Sequence, residues 1–180
     1  MTWSHDDLAS DLARFLMAGK ARVCFENLAT GEWGGCRPDV LSLEATNYSL
    51  NDPRVYEVKV TRGDFLSDIR SRKWERYLQH CARFFFATPE GLVDKSEVPK
   101  PAGLLIRHEH GWRHLKRAEH RPRIKISDFM RNKLACYGER YRTEFLISRR
   151  QRREWLEHLK RREFIGDAVA KAAQELHEAK

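Results

Sequence analysis

No apolar run in this sequence approaches the roughly 20 residues needed to span a bilayer. Its first residues lack the basic and apolar regions of a secretory signal. Both absences lead to the expectation of a cytoplasmic protein with no membrane partner. Cysteine is sparse and scattered. Cys24, Cys36, Cys81 and Cys136 form no CxxC pair, which argues against a zinc ribbon and against a disulfide framework. They read as reduced thiols, with Cys24 and Cys81 in the core. Internal repeats and low-complexity segments are missing too. His108, His110, His114 and His120 gather in one stretch, but their spacing matches no zinc signature and no cysteine lies close by. They read as exposed hairpin histidines.

What the chain has in quantity is charge. Its 180 residues leave room for one domain with a sound core and an appended element. Charged residues make up 33% and hydrophobic ones 41%, the pattern of a compact core under a heavily charged surface. A net charge of +8 favours a polyanionic partner. Basic character alone suits an acidic protein or a membrane surface equally well.

The chain is organised around Val55–Val60, a run of β-branched and aromatic residues after a turn signal at Asn51-Asp52-Pro53. Side chains alternate faces along a strand. Tyr56, Val58 and Val60 then face the core, and Glu57 and Lys59 share the opposite face. A second apolar run, Val40 to Leu43, directly follows Asp39 and suits an antiparallel neighbour. Asp39 and Glu57 are the kind of oxygen ligands that Mg²⁺ takes, with the Val58 carbonyl as a further oxygen. Lys59 beside them can orient or deprotonate a water, or neutralise charge developing in a transition state. Alternating charges also describe a solvated, salt-bridged strand face.

The ordered set is what carries weight: Arg37-Pro38-Asp39, Glu57-Val58-Lys59, Asp64-Phe65-x-x-Asp68, Lys73-Trp74-x-x-Tyr77 and Phe84-Phe85-Phe86-Ala87. Over about residues 23–106 it resembles the PD-(D/E)XK nuclease superfamily, and within it is most similar to the MmcB-like proteins associated with DNA repair. The resemblance implies an α/β fold with a restriction-endonuclease-like αβββαβ core and a mixed central sheet. It also implies a Mg²⁺- or Mn²⁺-dependent site formed by Asp39, Glu57 and Lys59. One departure is visible. Val60-Thr61-Arg62 stands after Lys59 where small hydroxyl residues are expected.

Ser4-His5-Asp6-Asp7 opens like a capped helix, with Leu8, Leu12, Phe15 and Leu16 on one face and an end near Gly19. Asp6, Asp7 and Asp11 favour the positive end of that helix, or one of them joins the site. Ala21 to Asn27 and Arg37 to Leu43 read as a hairpin around Thr30–Gly35. Glu26, near the end of its strand, is either an exposed acid or a further carboxylate for the metal.

Gly63 to Cys81 shows Phe65, Leu66, Ile69, Tyr77 and Cys81 at helical spacing, and Lys73 falls inside that stripe. Lys73 either snorkels past the core edge or enters the site. The resemblance favours an inward Lys73 contacting an acid or a phosphate. Asp64 and Asp68 either stabilise the helix start or support the site, and Arg37 is a supporting phosphate contact. Arg83 to Ala87 lacks alternation and reads as a strand buried on both faces, parallel to Val55–Val60.

Residues 1–126 are expected to form the core domain, and 127–180 a basic C-terminal helical extension packed on it. The extension is crowded with Arg149, Arg150, Arg152 and Arg153, with Trp155 beside them. Together with Arg62, Arg70, Arg72 and the rest of the basic surface as far as Arg76, they would hold a nucleic-acid backbone. The expected function is a Mg²⁺- or Mn²⁺-dependent deoxyribonuclease in DNA repair or processing, with DNA as partner and other DNA-processing proteins beside it. The alternative is a nuclease-fold DNA-binding module that turns over little or nothing.

Overall fold

A computed structural model describes residues 3–18, 22–28, 36–46 and 49–135. The chain divides into two compact units, Met1–Arg131 and Asn132–Lys180. The first holds a single mixed sheet of six strands in sequence order, flanked by helices. Arg149, Arg150, Arg152 and Arg153 lie outside the described residues.

Helix α1, His5–Met17, starts where the sequence says it should: the Ser4 hydroxyl accepts the Asp7 N–H, and Asp6 and Asp7 sit in the first turn. Its apolar face buries Leu8, Ala9, Leu12, Ala13 and Leu16. These pack on Val40, Tyr56, Val58, Phe85, Ala87 and Leu105, which alternate along the strands onto one face of the sheet. Asp11 accepts bonds from Arg107 Nε and Trp112 Nε1 at 2.7 and 2.8 Å, so it ties α1 to the far strands instead of joining the site.

Strands β1 (Arg22–Glu26), β2 (Val40–Ala45) and β3 (Leu50–Val58) form an antiparallel meander. β3 starts five residues earlier than Val55, running through the expected turn. Asn51-Asp52-Pro53 is a bulge: Asp52 has φ 45°, and the register against β2 shifts between Ser42 and Glu44. The turn-forming residues thus mark a real irregularity, but one the strand absorbs. The strand ends at Val58, although the Lys59 N–H still donates to the Ala87 carbonyl at 2.9 Å.

Helix α2 (Arg62–Ser71) and a 3-10 helix (Lys73–Gln79) form the crossover to β4 (Arg83–Pro89), which runs parallel to β3 as expected. The expected single helix over 63–81 is therefore two. It breaks at Arg72, whose left-handed φ of 56° ends α2. The break rephases everything after it, so Trp74 and Tyr77 turn inward and Lys73 is exposed. Beneath them Phe65, Phe84 and Phe86 form an aromatic layer, with Phe65 and Phe84 each edge-on to Phe86 at 5.1 Å. β5 (Ala102–His108) and β6 (Gly111–Lys116) complete the sheet. Gly103 is required on β5, since a Cβ there would lie 2.3 Å from the Phe85 ring.

Candidate active site

Register brings the two key carboxylates together. Val40 pairs with Tyr56 across antiparallel β2 and β3, so Asp39 falls opposite Glu57. The Val58 N–H donates to Asp39 Oδ2 at 2.7 Å, and His5 Nε2 lies 3.2 Å from the same oxygen. Asp39 is thus anchored by strand and helix at once. Burial works against a charged His5 ring, but Asp6 and then Asp39 raise its pKa above the usual value.

The same register excludes Glu26. It pairs with Val40, one residue from Asp39, which turns it onto the α1 face. There it accepts from the Ser10 hydroxyl at 2.6 Å. A third carboxylate from β1 is not brought to the cluster.

Glu57 and Lys59 project from the other face, as alternation requires, and both are buried. Lys59 Nζ lies 3.2 Å from Asp68, 3.7 Å from Glu57 and 3.7 Å from Asp64. Asp64 and Asp68 stand one turn apart on α2 and face the ammonium together. Capping α2 falls to Thr61, whose hydroxyl accepts the Asp64 N–H. Burial alone would lower the Lys59 pKa, but Asp68, then Glu57 and Asp64, raise it above the ordinary value. Lys59 therefore stays a cation at neutral pH, which fits orienting or charge-neutralising roles and not removal of a proton.

Glu57 is in the opposite condition. Burial, then the negative charge of Asp39, push its pKa up to about 8, against the pull of Tyr77 and Lys59. Its Oε1 is buried with no hydrogen-bond partner. Tyr77 lies beside it, and burial followed by the Glu57 charge raises the phenol's own pKa. Tyr77 belongs to the Lys73-Trp74-x-x-Tyr77 motif, but helical spacing alone marks it only as core.

A cleft of about 340 Å³ opens over Glu57 and Lys59. Asp64, Asp68 and Tyr77 line its wall, and the exposed Arg37, Lys73 and Arg76 also line it. Two of the other expected backbone contacts are ion-paired at the surface. Arg62 is held by Glu97 and the Leu92 carbonyl, and Arg72 by Glu75 at 2.7 Å. Arg70 is exposed.

The donor set fits a small hard cation. Asp39 and Glu57 offer carboxylate oxygens from adjacent strands, and one of those oxygens is buried without a partner. Among the described residues, no group of three or more His, Cys, Asp or Glu side chains is placed to hold a metal ion. Mg²⁺ binds through one or two carboxylates and keeps waters or substrate phosphate oxygens, so Asp39 and Glu57 are the residues that would hold it.

A solved structure from Silicibacter pomeroyi, described as a protein of unknown function, superposes with a TM-score of 0.58 at 26% identity, covering 81% of this chain and 91% of that one. No curated protein matches. The family described as DNA repair protein MmcB-like matches residues 11–139, from within α1 past the last strand. On that match the chain belongs to the MmcB-like family of DNA repair proteins.

Proposed function

We propose that this protein is a Mg²⁺- or Mn²⁺-dependent nuclease of the PD-(D/E)XK type that hydrolyses phosphodiester bonds in DNA during repair. The observation that carries the reading is the buried, unpartnered Glu57 oxygen opposite Asp39. A buried carboxylate oxygen without a donor is costly unless a proton, a water or a cation satisfies it. Two crowded carboxylates repel, and a cation bound by both would relieve the repulsion and supply the missing partner.

Asp39 and Glu57 would hold the ion. Bound there, it would polarise the phosphoryl group and supply hydroxide near neutral pH. The protein's own groups do the rest. Lys59, kept cationic by three carboxylates, stabilises negative charge developing on the phosphoryl oxygens and orients a water. Asp64 and Asp68 hold that ammonium in place. Arg37, Lys73 and Arg76 line the cleft and contact flanking phosphates.

The experiment is cleavage of single-stranded, duplex and branched DNA with Mg²⁺ or Mn²⁺. Wild-type protein should cut at least one substrate, while Asp39→Ala and Glu57→Ala should abolish cutting and leave DNA binding. If wild-type protein cuts none of them, the cluster does not serve catalysis and the fold acts as a DNA-binding module.

A further inference from the structure

We propose that the cleft beside Arg54 and Arg83, near the start of β3, is a second anion site, built to take the phosphate of a nucleotide or of a nucleic-acid backbone. It shares no residue with the Asp39, Glu57 and Lys59 cluster. Arg54 lies three residues before Glu57 on β3, so it emerges from the opposite face of the sheet. The proposal stands or falls apart from the nuclease reading.

Arg54 and Arg83 are Cα partners in the parallel ladder, so their side chains emerge together. Asp52, set by its left-handed φ, accepts from Arg83 through Oδ1 and from Arg54 and Arg22 through Oδ2. Arg22 is internal: its side chain is 7% exposed, and it also donates to Ser42 Oγ and to the Ser42 and Asp52 carbonyls. One guanidinium is enough to neutralise Asp52. The other two are surplus, fixed in position by the same carboxylate, and about a quarter exposed at 26% and 25%.

Those two arginines open on a cleft of about 650 Å³, within the range of roughly 300–1,000 Å³ typical of small-ligand sites. Arg117 and His120 also line it, and Phe85 gives it an apolar part. The segment carrying them is pinned, because the Glu119 N–H donates to the Pro101 carbonyl and the Arg121 N–H to the Ala82 carbonyl. Arg117 is exposed and has no ion-pair partner among the described residues; no carboxylate lines this cleft, while Asp52 and Glu44 line the adjoining one that shares Arg54 and Arg83. Preset guanidiniums with spare N–H donors match phosphate oxygens in a bidentate fork.

The test is calorimetric titration of the full chain, in chelator and low salt, with inorganic phosphate, deoxyadenosine monophosphate and a short oligothymidine. The nucleotide should bind, and Arg117→Ala should weaken it by about tenfold, the loss of one charge-assisted contact. Arg54→Gln should do the same. If that variant fails to fold, Arg117→Ala alone decides. An oligonucleotide that binds more tightly than the nucleotide, with the same loss in Arg117→Ala, identifies the backbone as the source of the phosphate. Equal binding identifies the free nucleotide. Absence of binding by all three probes, or binding that Arg117→Ala leaves unchanged, overturns the proposal.

Discussion

Asp52 and Glu57 stand five residues apart on β3, and their surroundings are opposite in sign. Burial would raise the Asp52 pKa, but Arg54, followed by Arg83 and Arg22, holds it below the usual carboxylate value. Glu57 has Asp39 and Asp68 near it, with the Tyr77 hydroxyl and Lys59 in compensation, and Lys59 is shared among three carboxylates. One carboxylate is oversupplied with cations from within the chain. The other is undersupplied and keeps a bare oxygen. Around Asp52 the fold is electrostatically complete and has positive charge left over for an anion. Around Glu57 it leaves negative charge crowded together.

The largest way to break this comparison is Asp52→Ala. It leaves buried Arg22 facing Arg54 and Arg83 with no counter-charge, which should cost about 3–5 kcal/mol of unfolding free energy in denaturant titration. A small loss would mean the arginines do not depend on Asp52. Next in size is Asp68→Asn, which removes the nearest partner of the Lys59 ammonium. It should cost about 1.5–3 kcal/mol, the range for a hydrogen bond to a charged group, and should lower the Lys59 pKa.

Glu57→Gln should act with the opposite sign. In chelator-treated protein the Glu57 pKa of about 8 stands above the usual 4.5. Between those values the unfolded chain releases its proton while the folded chain keeps it. Wild-type stability therefore falls as pH rises from about 4.5 to 8 and levels off above. The glutamine variant lacks that decline and should be the more stable protein at pH 8, by upward of about 1 kcal/mol, since each pKa unit is worth about 1.4 kcal/mol. Parallel pH profiles for the two proteins would refute the assignment. The smallest effect belongs to Glu75→Gln, which breaks the exposed Arg72 pair and should not move the unfolding midpoint measurably.

Much of this was legible in the sequence, for identifiable reasons. Alternation placed Glu57 and Lys59 on one face and Tyr56 and Val58 on the other, because the Val55–Val58 stretch is regular strand. The unbroken Phe84-Phe85-Phe86 run announced a strand covered on both sides. Other features depended on one-residue details that composition does not encode. Glu26 is a plausible ligand by type, but the hairpin register turns it to α1. Lys73 lies in the apolar stripe of an unbroken helix, yet a left-handed residue at Arg72 moves it to the surface. Nothing in a basic side chain's identity revealed that Arg62 pairs with Glu97, some 35 residues along the chain. Asp52 was hidden because a bulge and a turn use the same residues.

The central claim is that Asp39 and Glu57 together form an incomplete cage for a divalent cation. Calorimetric titration of the metal-stripped chain with Mn²⁺ tests it without any substrate. Wild-type protein should take up the ion at one site and unfold at a higher temperature when it is bound, and both effects should vanish in Asp39→Asn and Glu57→Gln. Uptake that survives both substitutions, or none in the wild type, would contradict it.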